Sequence, residues 1–125
     1  IQDYSHAINL QPDLLEAYHY RGIVRYGMKD LDGALADYNK AISLGLKSSA
    51  VYFNRGVIFH QKGQLSDAIE SYSRSIEIDP SNARAYYNRA ISKLIVDNYK
   101  EALQDLEISK RLGYSKAAEV ISQYY

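Results

Sequence analysis

The feature that most constrains this chain is its match to itself. Shifted by 34 positions and without a gap, LEAYHYRGIVRYGMKDLDGALADYNKAISLGLKS lies over SAVYFNRGVIFHQKGQLSDAIESYSRSIEIDPSN and ARAYYNRAISKLIVDNYKEALQDLEISKRLGYSK. The recurring places are Tyr18, Tyr52 and Tyr86; Arg21, Arg55 and Arg89; Gly22, Gly56 and Ala90; Leu31, Leu65 and Tyr99; Ala34, Ala68 and Ala102; and Tyr38, Tyr72 and Leu106. Such a period predicts an array of like units, each burying its apolar face against its neighbours. Whole units span 15–48, 49–82 and 83–116. Residues 1–14 match the second half of another unit, with Tyr4, Ala7, Ile8 and Pro12 in line with Tyr38, Ala41, Ile42 and Leu46, and 117–125 begin a further unit or a capping helix. The chain therefore reads as one repeat domain, either cut from a longer array or the ordered part of one.

Inside a unit the apolar spacing is helical, as in Ala34, Tyr38, Ala41, Ile42 and Leu44. Two such runs are parted by Lys29-Asp30, Lys62-Gly63 or Asp97-Asn98, and successive units by Asp79-Pro80-Ser81-Asn82 or by Gly45 and Gly113, so each unit is an all-α helical hairpin. A glycine after the last apolar turn suits a left-handed cap, and Asp13 followed by Glu16 fits a capping box. Glycine within a helix costs about 0.5–1 kcal/mol against alanine, so the recurrence of Gly22 and Gly56 marks a close helix approach. Tyr18, Tyr52 and Tyr86 are expected to pack over that approach, with Ala34, Ala68 and Ala102 facing it.

Charge excludes several functions. The chain has 15 Lys plus Arg and 15 Asp plus Glu, so no global field draws in nucleic acid or an anionic membrane. No apolar run reaches the roughly 20 residues of a spanning helix, which argues against membrane insertion. With no cysteine there is no disulfide or thiol chemistry, and the compartment stays open with a slight lean to the cytoplasm.

A tyrosine, a small residue four places on, then alanine, tyrosine, alanine and proline across a 34-residue hairpin resemble the tetratricopeptide repeat over essentially the whole chain. The family usually carries leucine where Arg21, Arg55 and Arg89 stand, and often tryptophan at Tyr18, Tyr52 and Tyr86. The resemblance implies a right-handed α-solenoid whose first helices line a concave groove that holds a peptide or helix of a partner protein. On that orientation the groove shows His19, Tyr20, Ile23 and Tyr26 with Glu16; then Phe53, Asn54, Val57 and His60; then Arg84, Tyr87, Asn88 and Ile91 with Leu94. Ala118, Ile121 and Ser122 extend it. The surface is aromatic and apolar with few charges, as interaction surfaces often are.

Asn54 and Asn88 recur 34 apart, and a carboxamide can both donate to and accept from a peptide backbone. One subgroup of relatives clamps the carboxylate end of heat-shock chaperones with lysine, asparagine and arginine. The matching places here hold His19, Ile23, Asn54, Arg84 and Asn88, so the two-site cation grip is missing, and a partner with an apolar anchor and few charges fits better.

Arg55 is about 100° around its helix from Asn54 and turns toward the packing. An unpaired buried charge costs several kcal/mol, and Asp3, Asp37 and Asp105 recur on the same period with Ser71 in the remaining place. A polar ladder between helices follows. Its pairing can run backward, Asp3 to Arg21 and Asp37 to Arg55, or within the hairpin, Arg21 to Asp37 and Arg89 to Asp105.

Catalytic constellations are missing. His6, His19 and His60 do not share a metal-binding spacing, Glu16 is the sole acid of the groove, and no nucleophile elbow or phosphate-binding glycine loop occurs. No metal or cofactor is expected. The leading expectation is a non-catalytic protein-binding module. Its rival is a scaffold that self-associates into homo-oligomers through open solenoid ends, where Tyr124 and Tyr125 stand.

Overall fold

The computed structural model describes residues 2–10 and 14–125, apart from the side chains of residues 2, 3 and 10. Among the described residues there are eight helices and no strand: α1 (Gln2–Leu10), α2 (Leu15–Gly27), α3 (Leu31–Ser43), α4 (Ser49–Gln61), α5 (Leu65–Ile78), α6 (Ala83–Ile95), α7 (Tyr99–Arg111) and α8 (Ser115–Tyr124). The main pairings are α2 with α3, α4 with α5 and α6 with α7, the hairpins expected from the period. Two compact units form, Ile1–Lys47 and Ser48–Tyr125.

The hairpin turns share one device. Lys29, Gly63 and Asp97, each 34 residues from the next, adopt φ of 64°, 77° and 63°. Each donates its N–H to the carbonyl three residues back, and the following residue reaches five back, as Asp30 does to Arg25 at 2.8 Å and Asn98 to Lys93 at 2.8 Å. This closes the last helical turn through a left-handed residue. Gly45 and Gly113, at φ of 109° and 99°, end α3 and α7 in the same way, as their sequence context predicts. Helix α5 ends differently, on Asp79, whose Oδ1 accepts from the Ser81 N–H and hydroxyl at 3.1 and 2.6 Å.

Helix starts are capped by Asp30, Ser48 and Asn82, whose side-chain oxygens accept from the N–H groups of Gly33, Val51 and Ala85. Of the capping box read at Asp13 and Glu16, Asp13 lies outside the described residues, and Leu14 takes the cap position of α2 without a side-chain bond.

The close helix approach is real, but its knob is a different residue. A Cβ on Gly22 would meet the Tyr38 ring at 2.8 Å, and one on Gly56 the Tyr72 ring at 2.5 Å. Tyr38 and Tyr72, both buried, fill the space left by the glycines. Tyr18, Tyr52 and Tyr86 instead lie beside the arginines of their own helices, with guanidinium-to-ring distances of 5.8, 4.9 and 5.6 Å. Tyr18 and Arg21 are three apart on one helical face, so the ring is held beside the cation rather than over the glycine one position further on. In the third hairpin both partners change together: Ala90 stands opposite Leu106 in a core completed by Ala102, Ala117 and Val120.

Buried serines close the hairpin ends of the second unit. Ser75 Oγ donates to the Ser49 carbonyl at 2.9 Å and Ser109 Oγ to the Ala83 carbonyl at 2.8 Å, tying α5 to α4 and α7 to α6. Among the described residues no buried side-chain nitrogen or oxygen lacks a partner.

Candidate partner-binding surface

The polar ladder runs inside the hairpins and also behind them. In the first unit Arg21 grips Asp37 with two parallel bonds, Nε to Oδ2 at 2.9 Å and Nη2 to Oδ1 at 2.7 Å. Its Nη1 reaches back to Ser5 Oγ of α1 at 3.2 Å. In the second unit Arg89 repeats the arrangement, with bonds of 2.8 and 2.7 Å to Asp105 and 3.0 Å to Ser73 of α5. The forward pairing, Arg21 with Asp37 and Arg89 with Asp105, is the one that forms, and the backward bonds of these arginines go to serine hydroxyls rather than to the aspartates of the other alternative. Asp3 lies outside the residues whose side chains are described. The bonds to Asp37 push the Arg21 guanidinium further above its already high range.

A second cation, not evident from spacing alone, joins each buried carboxylate. Arg25 Nη1 lies 3.2 Å from Asp37 Oδ2, and Lys93 Nζ 2.9 Å from Asp105 Oδ2. The same place in the middle hairpin is Phe59. There Arg55 donates to Ser71 Oγ at 3.0 Å and to the exposed Glu70 at 3.1 Å, with its guanidinium 4.9 Å from the Tyr52 ring and 5.9 Å from the Phe59 ring. Arg21, Arg55, Arg89, Asp37 and Asp105 are therefore all engaged within the protein.

The expected groove residues of the second unit converge. Val57 and His60 of α4 with Tyr87, Asn88 and Ile91 of α6 wall a cleft of ≈ 250 Å³, together with Gln61 and Tyr72. His60 Nδ1 lies 3.1 Å from Ser92 Oγ, linking α4 to α6 at a place where Ser92 is fully buried. Phe53 tilts against Tyr72 with ring centres 5.8 Å apart, and the Arg84 guanidinium sits 5.4 Å from the Phe53 ring. Burial, with Tyr114 and Glu119 nearby, pushes the Tyr87 phenol up. Asn54 is half-buried on α4 and does not line the cleft.

Gln61 and Tyr72 were not read as groove residues. Gln61 adjoins His60 at the end of α4. Tyr72 reaches the cleft past Gly56, and a glycine facing a large ring is the signal that could have found it. A second cleft, of ≈ 230 Å³, is lined by Ile91, Leu94 and Ile95 of α6, Tyr99 of α7 and Tyr124 of α8.

In the first unit, Tyr20 and Ile23 are exposed at 46% and 43%. Tyr20 stacks between Tyr4, at 5.8 Å, and His19, at 5.0 Å, forming an aromatic strip, while Tyr26 is half-buried against Tyr38. Among the described residues no group of three or more His, Asp or Glu could hold a metal ion, and no helix is long and apolar enough to cross a membrane.

The family model described as TPR repeat matches residues 56–93. Among solved structures, a crystal structure of MamA superposes with a TM-score of 0.82 at 22% identity, covering 94% of this chain and 68% of that one. Residues 56–93 are a tetratricopeptide repeat, and the chain as a whole shares the fold of tetratricopeptide-repeat structures. The Arabidopsis OM64 TPR domain matches with a TM-score of 0.76 at 26% identity, over 87% of this chain and 91% of that domain. The first TPR of Spaghetti (RPAP3), solved bound to the HSP90 peptide SRMEEVD, matches with a TM-score of 0.77 at 16% identity, over 87% of this chain and 88% of the other. No curated protein gives a significant sequence match. The repeats here share the α-solenoid fold of these neighbours, with arginine and tyrosine at the positions where the family usually has leucine and tryptophan.

Proposed function

We propose that these repeats form a non-catalytic protein-interaction module that holds a segment of a partner protein on its first helices. The observation that carries this reading is the cleft between α4 and α6, where Val57, Tyr87 and Ile91 offer apolar contact and His60 and Asn88 offer hydrogen bonds. Concave sites with an apolar lining and a few placed polar groups are what binding segments enter. Phe53, Asn54 and Arg84 flank that cleft on the same two helices, and His19, Tyr20, Ile23 and Tyr26 serve the same role on α2. The neighbour that holds a peptide on this fold supports the reading.

An acidic chaperone tail is not the favoured occupant. Arg84 is the cation among the groove residues and lies over the Phe53 ring, and Asn88 is neutral where a second cation would be needed. Substituting Asn54 and Asn88 by alanine tests the module. Capture of the partner from an extract should weaken several-fold while stability falls by no more than about 1 kcal/mol per site, the loss of one side-chain hydrogen bond. Unchanged capture would count against the groove.

A further inference from the structure

The two clefts of the second unit share one kind of wall, one repeat apart, while their remaining linings differ. Val57, His60 and Gln61 wall the first; 34 residues on, those places are Ile91, Leu94 and Ile95, which wall the second. Ile91 lines both, so the second cleft begins where the first ends. Their chemistry differs. The first carries an imidazole and two carboxamides, whereas the second is apolar apart from the Tyr99 and Tyr124 hydroxyls, and neither is lined by a carboxylate, a lysine or an arginine.

Building on the peptide-binding reading, we infer that the occupant is an extended, uncharged segment of another protein bearing two large apolar side chains three residues apart. One side chain enters each cleft, and the backbone beside the first meets Asn88. The spacing follows from the helices. Packed helices lie about 8–10 Å apart, so corresponding walls on α4 and α6 are offset by that distance, which an extended chain rising about 3.3 Å per residue covers in three residues. A helical ligand, about 10–12 Å across with its side chains, would lie over both openings instead of entering them. The uncharged linings favour a neutral segment, since a carboxylate placed there would lose water without gaining a cation.

Fluorescence anisotropy on the 125-residue chain tests this with synthetic peptides. One is a neutral peptide with leucine at positions i and i+3, two carry serine at one or the other leucine, one is a helix-locked peptide with leucines at i and i+7, and one is SRMEEVD. The two-leucine peptide should bind roughly tenfold tighter than either single-leucine peptide, the gain from burying one more leucine. Ile95→Lys should abolish that gain and leave unchanged the affinity of the peptide whose one leucine enters the first cleft. Ile95 is 54% exposed, so the fold should tolerate the change, and a melting curve checks this.

Equal affinity for one and two leucines, an inert Ile95→Lys, or tighter binding of the helix-locked peptide or of SRMEEVD overturns the two-cleft inference while leaving a groove that binds something else. If no peptide binds and the asparagine variants also leave partner capture unchanged, the groove reading falls with it. Concentration-dependent sedimentation that Ile95→Lys abolishes would show a second copy of the chain covering the second cleft, and also overturns the inference.

Discussion

Hairpin α6–α7 buries a carboxylate, Asp105, between Arg89 and Lys93, whereas α4–α5 puts Ser71 in the same place with Arg55 and Phe59 around it. The acid and the second cation disappear together, so the core charge of the rung, one positive in each case, does not change. Volume follows the same rule. Gly56 faces Tyr72, while Ala90 faces Leu106, so a methyl gained on the first helix accompanies a smaller side chain on the second. A repeat therefore tolerates exchange of a buried pair, provided that the sum of charge and the sum of volume are both kept.

Breaking the charge rule should have the largest effect. Asp105→Ala leaves two cations facing a vacated carboxylate site and should lower stability by about 3 kcal/mol in urea unfolding, while Ser71→Ala in the middle hairpin should cost only about 1 kcal/mol. Equal losses would mean that the two rungs are energetically alike. Breaking the volume rule comes next. Gly56→Ala should cost about 2 kcal/mol because its Cβ meets the Tyr72 ring, and adding Tyr72→Leu should recover most of that by recreating the pair found in the third hairpin.

The exchange itself can be attempted. Ser71→Asp alone places a carboxylate beside exposed Glu70 with a single arginine and should destabilise by about 1 kcal/mol; adding Phe59→Lys should offset it, giving a coupling of similar size in a double-mutant cycle. The smallest effect belongs to the turns. Lys29 and Asp97 hold left-handed conformations that Gly63 adopts without a Cβ, so glycine at either place should raise stability by about 0.5 kcal/mol, and Gly63→Lys should lower it.

Much of the fold was legible because the period states each helix several times: turn residues at 29, 63 and 97 and small residues at 22, 56 and 90 reinforce one another. The knob over the glycines was misread, since spacing along one helix places Tyr18 near Gly22 but says nothing of the register in which Tyr38 arrives from α3. The ladder had the same difficulty. Arg21 and Asp37 were recognisable as partners, while the reach back to Ser5 depends on α1 meeting α2, and the second cation at Arg25 on the register in which Asp37 arrives from α3. Of the cleft, Val57 and His60 on α4 and Tyr87, Asn88 and Ile91 on α6 could be read from helical position. Gln61 and Tyr72 could not, because their access depends on how α5 and the end of α4 sit beside them.

Arg89 bonds Ser73 on α5 and Asp105 on α7 with one planar group. Fraying of α6 and α7 from the C-terminal side therefore costs more than opening an independent hairpin, because releasing α6 also breaks its tie to α5. Local opening should be confined to α8, leaving amide exchange in α6 and α7 slower than in α8.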